Sequence, residues 1–174
     1  DVDERVTTEA EAAPSAAVVS APMRPIVQLF GTPYIELFGS VEIHGARGPE
    51  PRTATMSHTA RATELIAYLS FFGATTKENV HEALWPGQHP DGKSAQKARN
   101  ELMSRARRWL GQNGEGEWYV PKVGTAGHRL HPDVRSAWDV WRELVTPDPA
   151  SAETPDLIQA MHLVKGQPFN GVKE

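Results

Sequence analysis

A chain of 174 residues, 39% hydrophobic and 23% charged, has room for one domain of ordinary size with tails. It has no cysteine, which excludes disulfides and thiolate metal sites, and no apolar run approaches the ~20 residues of a membrane span. The net charge of -4 argues against nucleic acid only as a sum: residues 61–131 hold ten bases and seven acids, between flanks with eight acids to four bases and seven acids to four bases.

Residues 1–25 are rich in Ala, Glu, Thr and Pro and almost free of large apolar side chains. Such a segment buries too little surface to offset its ordering, so a disordered linker is expected. It shows no signal peptide. The first residue is Asp1, not Met, so the chain is expected to be a piece of a longer one. VQLFG, YIELFG and VEIHG follow, short apolar runs cut by Gly31, Pro33, Gly39 and Gly45. They predict two or three strands of a small antiparallel meander.

ARATELIAYLSFFG predicts a helix with Leu65, Ile66, Leu69 and Phe72 on one face, Ser57 or Thr59 as its cap and Gly73 as its stop. Thr76 then opens a short helix, KENVHEALW, with Val80 and Leu84 one turn apart. The loop GQHPDG leads into Lys93–Gly111. There Ala95, Ala98, Leu102, Ala106 and Trp109 fall on one side of a helix, and Lys93, Lys97, Asn100, Ser104 and Arg107 on the other. Glu101 is the one acid in this segment, against Lys93, Lys97, Arg99, Arg105, Arg107 and Arg108. A solvated helix usually mixes signs to gain pairs one turn apart, so this polar face is read as meeting an anion. Arg99 and Arg105 sit on the shoulders of the apolar stripe, and pairing with an internal acid or touching DNA both stay open for them.

WYVPKV and GHRL, parted by Gly124-Thr125-Ala126, predict a hairpin. SAWDVWREL (residues 136–144) and residues 156–165 read as amphipathic helices, with Trp138, Trp141 and Leu144 facing inward. The second of these, without further neighbours, is expected to expose apolar surface and favour homo-oligomers. Strands, three helices and a hairpin are the layout of a winged helix-turn-helix, an α+β fold with N-terminal antiparallel strands and a C-terminal wing.

The motifs LFGSVEIHG, ELIAYLSFFG, TTKENVHEALWP, SAQKARNELMSRARRWLG and GHRL, in this order, resemble the winged-helix domain of the actinobacterial antibiotic-regulatory-protein type. That domain is similar to those of two-component response regulators. The likeness extends over residues 27–172 to large proteins that join it to a helical "bacterial transcriptional activator" domain, whose opening DLIQAMHLVKGQPFNGV resembles. The resemblance implies a linker over 1–25, a winged-helix DNA-binding domain over 26–132, and the first helices of an activator-type domain over 133–174. It also implies double-stranded DNA and RNA polymerase as partners. A cytoplasmic place follows, as a free protein or as the cytoplasmic part of a larger membrane-anchored one, with no membrane contact by this segment.

On this reading the third helix enters the major groove. Gln96, Lys97, Asn100 and Ser104 reach base edges, Asn and Gln favouring adenine and Lys favouring guanine. Lys93, Arg107 and Arg108 neutralise phosphates, and Lys122 and Arg129 set the wing on the backbone. No enzyme activity, cofactor or metal is expected. The competing class is a non-catalytic protein-interaction module on a winged helix that has lost DNA binding, supported by the net charge and by Glu101. Gly87-Gln-His-Pro-Asp-Gly92-Lys93-Ser94 also matches GxxxxGK[ST], the phosphate-binding loop. That loop works only when a buried strand delivers it, and here a predicted helix precedes it. His128 and His131 are the closest histidine pair, and a spacing of three on a strand sends them to opposite faces. Trp85 and Trp109 read as core, while Trp118 is open.

Overall fold

The computed structural model describes residues 31–51, 57–122, 127–146 and 148–170. The linker expected over 1–25 and the run VQLFG up to Phe30 lie outside them. The described chain is α+β, with five α-helices and a three-stranded mixed sheet. β1 (Tyr34–Glu36) is the middle strand. It pairs antiparallel with β2 (Glu42–His44), Ile35 opposite Ile43, and parallel with β3 (Arg135–Ser136), Tyr34 opposite Arg135.

α1 (Ser57–Phe72) buries Leu65, Ile66 and Leu69, and Gly73, with φ 72°, returns its N–H to the Leu69 carbonyl. Each of those side chains contributes about 1.5–3 kcal/mol by leaving water. Two expectations for α1 need correction. The helix starts at Ser57, so neither Ser57 nor Thr59 precedes its first turn, and the Thr59 hydroxyl instead donates to the Pro51 carbonyl. Phe72 does not join the buried face: it is 61% exposed, while Phe71 packs on Trp138 and Phe169 with ring centroids 5.1 and 5.4 Å away. In the last turn the neighbouring aromatic cluster lies on the Phe71 side, and it decides which of the two rings is covered.

α2 (Lys77–Leu84) is capped by Thr76, whose side-chain oxygen accepts from the Asn79 N–H, and it buries Val80, His81 and Leu84. α3 (Lys93–Leu110) buries Leu102, Met103, Ala106, Trp109 and Leu110. These residues join Ile35, Leu37, Leu65, Ile66 and Val80 in one core, so α1, α2, α3 and the sheet close on each other. The C-terminus of α3 is fixed by the loop after β2. Arg47 and Gly48 donate their N–H groups to the Leu110 and Trp109 carbonyls at 3.1 and 2.9 Å. The approach is so close that a Cβ on Gly48 would lie 1.7 Å from the Arg108 carbonyl oxygen.

The turn expected at Gly124-Thr125-Ala126 lies outside the described residues, which show only the arms on either side of it. Among the described residues neither 118–122 nor 127–131 is a strand. Between described residues, one backbone bond joins the two arms, from the His131 N–H to the Tyr119 carbonyl at 2.9 Å. Trp118 bridges to Gln112, and His128 bridges to Thr75. Pro121 has no N–H to donate to a ladder, which limits pairing between the arms.

α4 (Ala137–Val145) starts at a capping box in which Ser136 and Asp139 exchange side-chain and backbone bonds. α5 (Thr154–Leu163) packs on α4. Ala137, Val140 and Leu163 form a second cluster with Tyr34, against which Phe38, Trp141 and Leu144 rest half-buried. The chain after α5 returns to the first strands, where Lys165 and Phe169 donate N–H groups to the Phe38 and Leu37 carbonyls at 2.8 and 2.9 Å. Residues after 133 are therefore tied to β1 and its flank through β3, α4 and these bonds. Ile158 and Met161 on α5, and Val164 just after it, are left exposed. No helix among the described residues is long and apolar enough to cross a membrane.

Candidate nucleic-acid interface

α3 places its polar residues by periodicity. Once Leu102, Ala106 and Trp109 are buried against α1, the side chains on the opposite arc face outward. Lys93, Gln96, Lys97, Asn100 and Arg108 are exposed, and their side chains make no hydrogen bond or ion pair to another described residue, while Ser104 is half-buried. From Gln96 to Ser104 the helix advances about 12 Å, close to the width of a major groove.

The other cations of α3 are engaged within the protein. Arg107 is half-buried. Its Nε donates to the Val120 carbonyl at 2.7 Å and its Nη2 to the Pro121 carbonyl at 3.1 Å, and burial lowers its pKa from the ordinary guanidinium value. The residue expected to neutralise a phosphate thus holds the 118–122 arm to the helix. Arg99 is buried at 4% exposure and donates to the Pro90 carbonyl, a backbone partner that neither open reading named. Arg105 pairs with Glu101 one turn earlier, at 3.5 Å. Glu101 therefore has an internal partner on the same helix.

Lys122 and Arg129 are both exposed, one on each arm, and line a common cleft with Trp118. Trp118 is half-buried there, between arm and solvent. His128 and His131 do not meet a common centre. His131 contacts Glu117 at 3.0 Å and Asp133 at 3.4 Å. His128 is buried, and its pKa is lowered first by burial and then by the charges of Arg99 and Arg107.

Three features were not read from the sequence. One is the carbonyl clamp of Arg107, whose partners lie 13 and 14 residues on and leave no periodic trace. Another is the group Glu36, Glu42 and His44 on the β1–β2 pair, where facing register positions bring two carboxylates to the imidazole at 3.6 and 3.5 Å. Lys165 already places its ammonium on both Glu36 oxygens at 2.7 and 2.8 Å, which makes this an ion-pair cluster. The last is His81, whose position between Val80 and Leu84 on α2 was a legible signal of burial. The Gly87–Ser94 turn joins α2 to α3, so a helix delivers it and not the strand of a nucleotide-binding loop.

No protein-family model matches the chain, and neither a curated protein nor a solved structure matches it.

Proposed function

We propose that this chain is a sequence-specific double-stranded DNA-binding module of a transcriptional regulator, built as a winged helix. In this reading α2, the Gly87–Gly92 loop and α3 form the helix-turn-helix, and the arms 118–122 and 127–131 form the wing. The observation that carries it is the outward stripe of α3: Lys93, Gln96, Lys97 and Asn100 exposed, without partners among the described residues and with no acid among them. Side chains that give up every internal pair are placed for an external anion or for base edges. Lys97, Asn100 and Gln96 read bases, and Ser104 borders the same stripe. Lys93 and Arg108 neutralise phosphates, with Lys122 and Arg129 on the wing. Residues 133–170 serve as the opening of an activator-type helical part that contacts RNA polymerase or a second copy of the chain. The reading involves no catalysis and no cofactor, and it places the protein in the cytoplasm, free or as part of a membrane-anchored protein.

A protein-interaction module is favoured instead by one observation, the apolar side chains Ile158 and Met161 on α5 and Val164 just after it, all left exposed. The experiment that separates the two is binding to a preferred site selected from random duplexes and to unselected DNA, across a salt series. Asn100→Ala should cost about 1–3 kcal/mol on the preferred site and little on unselected DNA, because a base contact discriminates and a phosphate contact does not. Equal losses on both DNAs would remove Asn100 from the reading surface. Absence of any duplex binding at low salt would leave the interaction module.

A further inference from the structure

α3 starts without a side-chain cap. Gly92 occupies the N-cap position with φ -63° and ψ 139°, and has no side-chain oxygen to offer the first turn. The first helical bond runs from the Gln96 N–H to the Gly92 carbonyl at 2.9 Å. The N–H groups of Lys93, Ser94 and Ala95 precede it and find no acceptor among the described residues. Together with the helix dipole they make the start of this 18-residue helix electropositive.

A second feature meets this end from another element. His81, in the last turn of α2, is 1% exposed and stacks on Trp85 at 5.3 Å between centroids. Neither of its ring nitrogens has a hydrogen-bond partner among the described residues. Buried polar atoms left in this state are rare in folded proteins and call for a specific explanation. His81 and Trp85 form one wall of a cleft of about 230 Å³, and Gly92, Ser94 and Ala95 form another. No carboxylate of a described residue lines it. The nearest acid in sequence, Asp91, lies 3.8 Å from the Lys77 ammonium. The cleft is smaller than the usual site of a drug-sized ligand.

Residues with unpaired donors, from two helices, thus line one small space. In any tautomer the imidazole carries at least one N–H, so His81 adds a donor to the three backbone donors. We propose that this cleft binds a phosphate group, its oxygens accepting from the first turn of α3 and from His81. Two sources carry that chemistry: free phosphate or a small phosphomonoester, and a backbone phosphate of bound DNA. The second source rests on the DNA-binding reading above.

The test titrates inorganic phosphate into the isotope-labelled full chain at constant ionic strength, following the amide signals of residues 93–95 and the His81 ring. Saturable shifts are expected. Gly92→Asp should abolish them, because a carboxylate at the N-cap accepts from the same N–H groups. The backbone there is ordinary for an L residue, and an added Cβ would meet nothing nearer than the His89 carbonyl oxygen at 3.9 Å. This variant should therefore melt higher than the wild type while losing phosphate, which separates site loss from misfolding. His81→Phe keeps a ring on Trp85 and removes both nitrogens, and should weaken phosphate at least about tenfold, the worth of one charge-assisted bond. Repeating both variants with duplex DNA identifies the source. Retained duplex affinity marks a free phosphate, and joint loss marks a backbone phosphate. If the wild type binds phosphate and no duplex, the DNA reading fails and the cleft stands. Linear, unsaturated shifts in the wild type, or equal saturation in both variants, overturns the proposal.

Discussion

Arg107 gives the sharpest separation of charge from geometry on α3. Its guanidinium gives one donor to Val120 O and one to Pro121 O, at 2.7 and 3.1 Å. Val120 is fully buried, so its carbonyl has no ready exchange for water. Arg107→Ala deletes two charge-assisted bonds and leaves a shielded acceptor unpaired. A single bond to a charged group is worth about 1.5–3 kcal/mol, and partial exposure of the guanidinium discounts the second, so the expected cost is about 2–3 kcal/mol. Arg107→Lys retains the charge but replaces a planar fork by a point donor, and should recover less than half of that loss. Arg108 is the control: it is exposed and has no partner among the described residues, so Arg108→Ala should leave stability within about 0.5 kcal/mol. The assay is the urea midpoint of the three variants at constant slope, beside their duplex affinity across a salt series. A stable Arg107→Ala protein with a reduced salt slope would refute the clamp and return Arg107 to the phosphate contacts.

Other perturbations test the frame around the interface. Gly48→Ala forces a Cβ to within 1.7 Å of the Arg108 carbonyl oxygen, so the β2–α3 loop must move and the bond from Gly48 N–H to Trp109 O is strained. A loss of about 1–3 kcal/mol in denaturant is expected, and an unchanged midpoint would show that the loop does not grip the helix end. His128 has a folded pKa lowered from 6.5 by burial and then by the charges of Arg99 and Arg107. The unfolded chain therefore binds the proton more readily. The stability held above the ordinary histidine value should fall as pH drops from 6.5 through the lowered folded pKa. His128→Gln should flatten that part of the stability profile, and an unaltered profile would place the acid sensitivity elsewhere.

The helices were legible because each is written in large apolar residues at helical spacing. Leu65, Ile66 and Leu69 fix α1, and Leu102, Ala106 and Trp109 fix α3, whatever lies beyond them. What periodicity cannot choose is which of two adjacent aromatics at a helix end is covered. Phe71 wins over Phe72 because Trp138 and Phe169 arrive on its side from the far end of the chain. β3 was invisible for a similar reason. Two residues make no pattern, and Arg135–Ser136 is a strand only because β1 offers it a parallel edge. The segments 118–122 and 127–131 were readable as extended arms, but their bridges to Gln112 and Thr75, from Trp118 and His128, were not.

The same limit applies to counting charge. Six bases and one acid between Lys93 and Gly111 suggested a strongly cationic helix. Three of those bases are occupied inside the fold, Arg99 by Pro90, Arg105 by Glu101 and Arg107 by the 120–121 carbonyls. Lys93, Lys97 and Arg108 remain free among the described residues, and Lys122 and Arg129 join them from the arms. The two tallies predict different experiments. Each neutralised phosphate contributes about 0.9 to the slope of log affinity against log salt on duplex DNA. All eight cations acting would give a slope of about -7, whereas the five free ones give about -4 to -5. Lys97, if it reads guanine, leaves the lower figure nearer -4. A slope measured on unselected duplex is the cleaner value, since base contacts are then lost and only phosphates count. A result near -7 would mean that Arg99, Arg105 and Arg107 leave their internal partners on binding, and that the clamp on the 118–122 arm opens when DNA arrives.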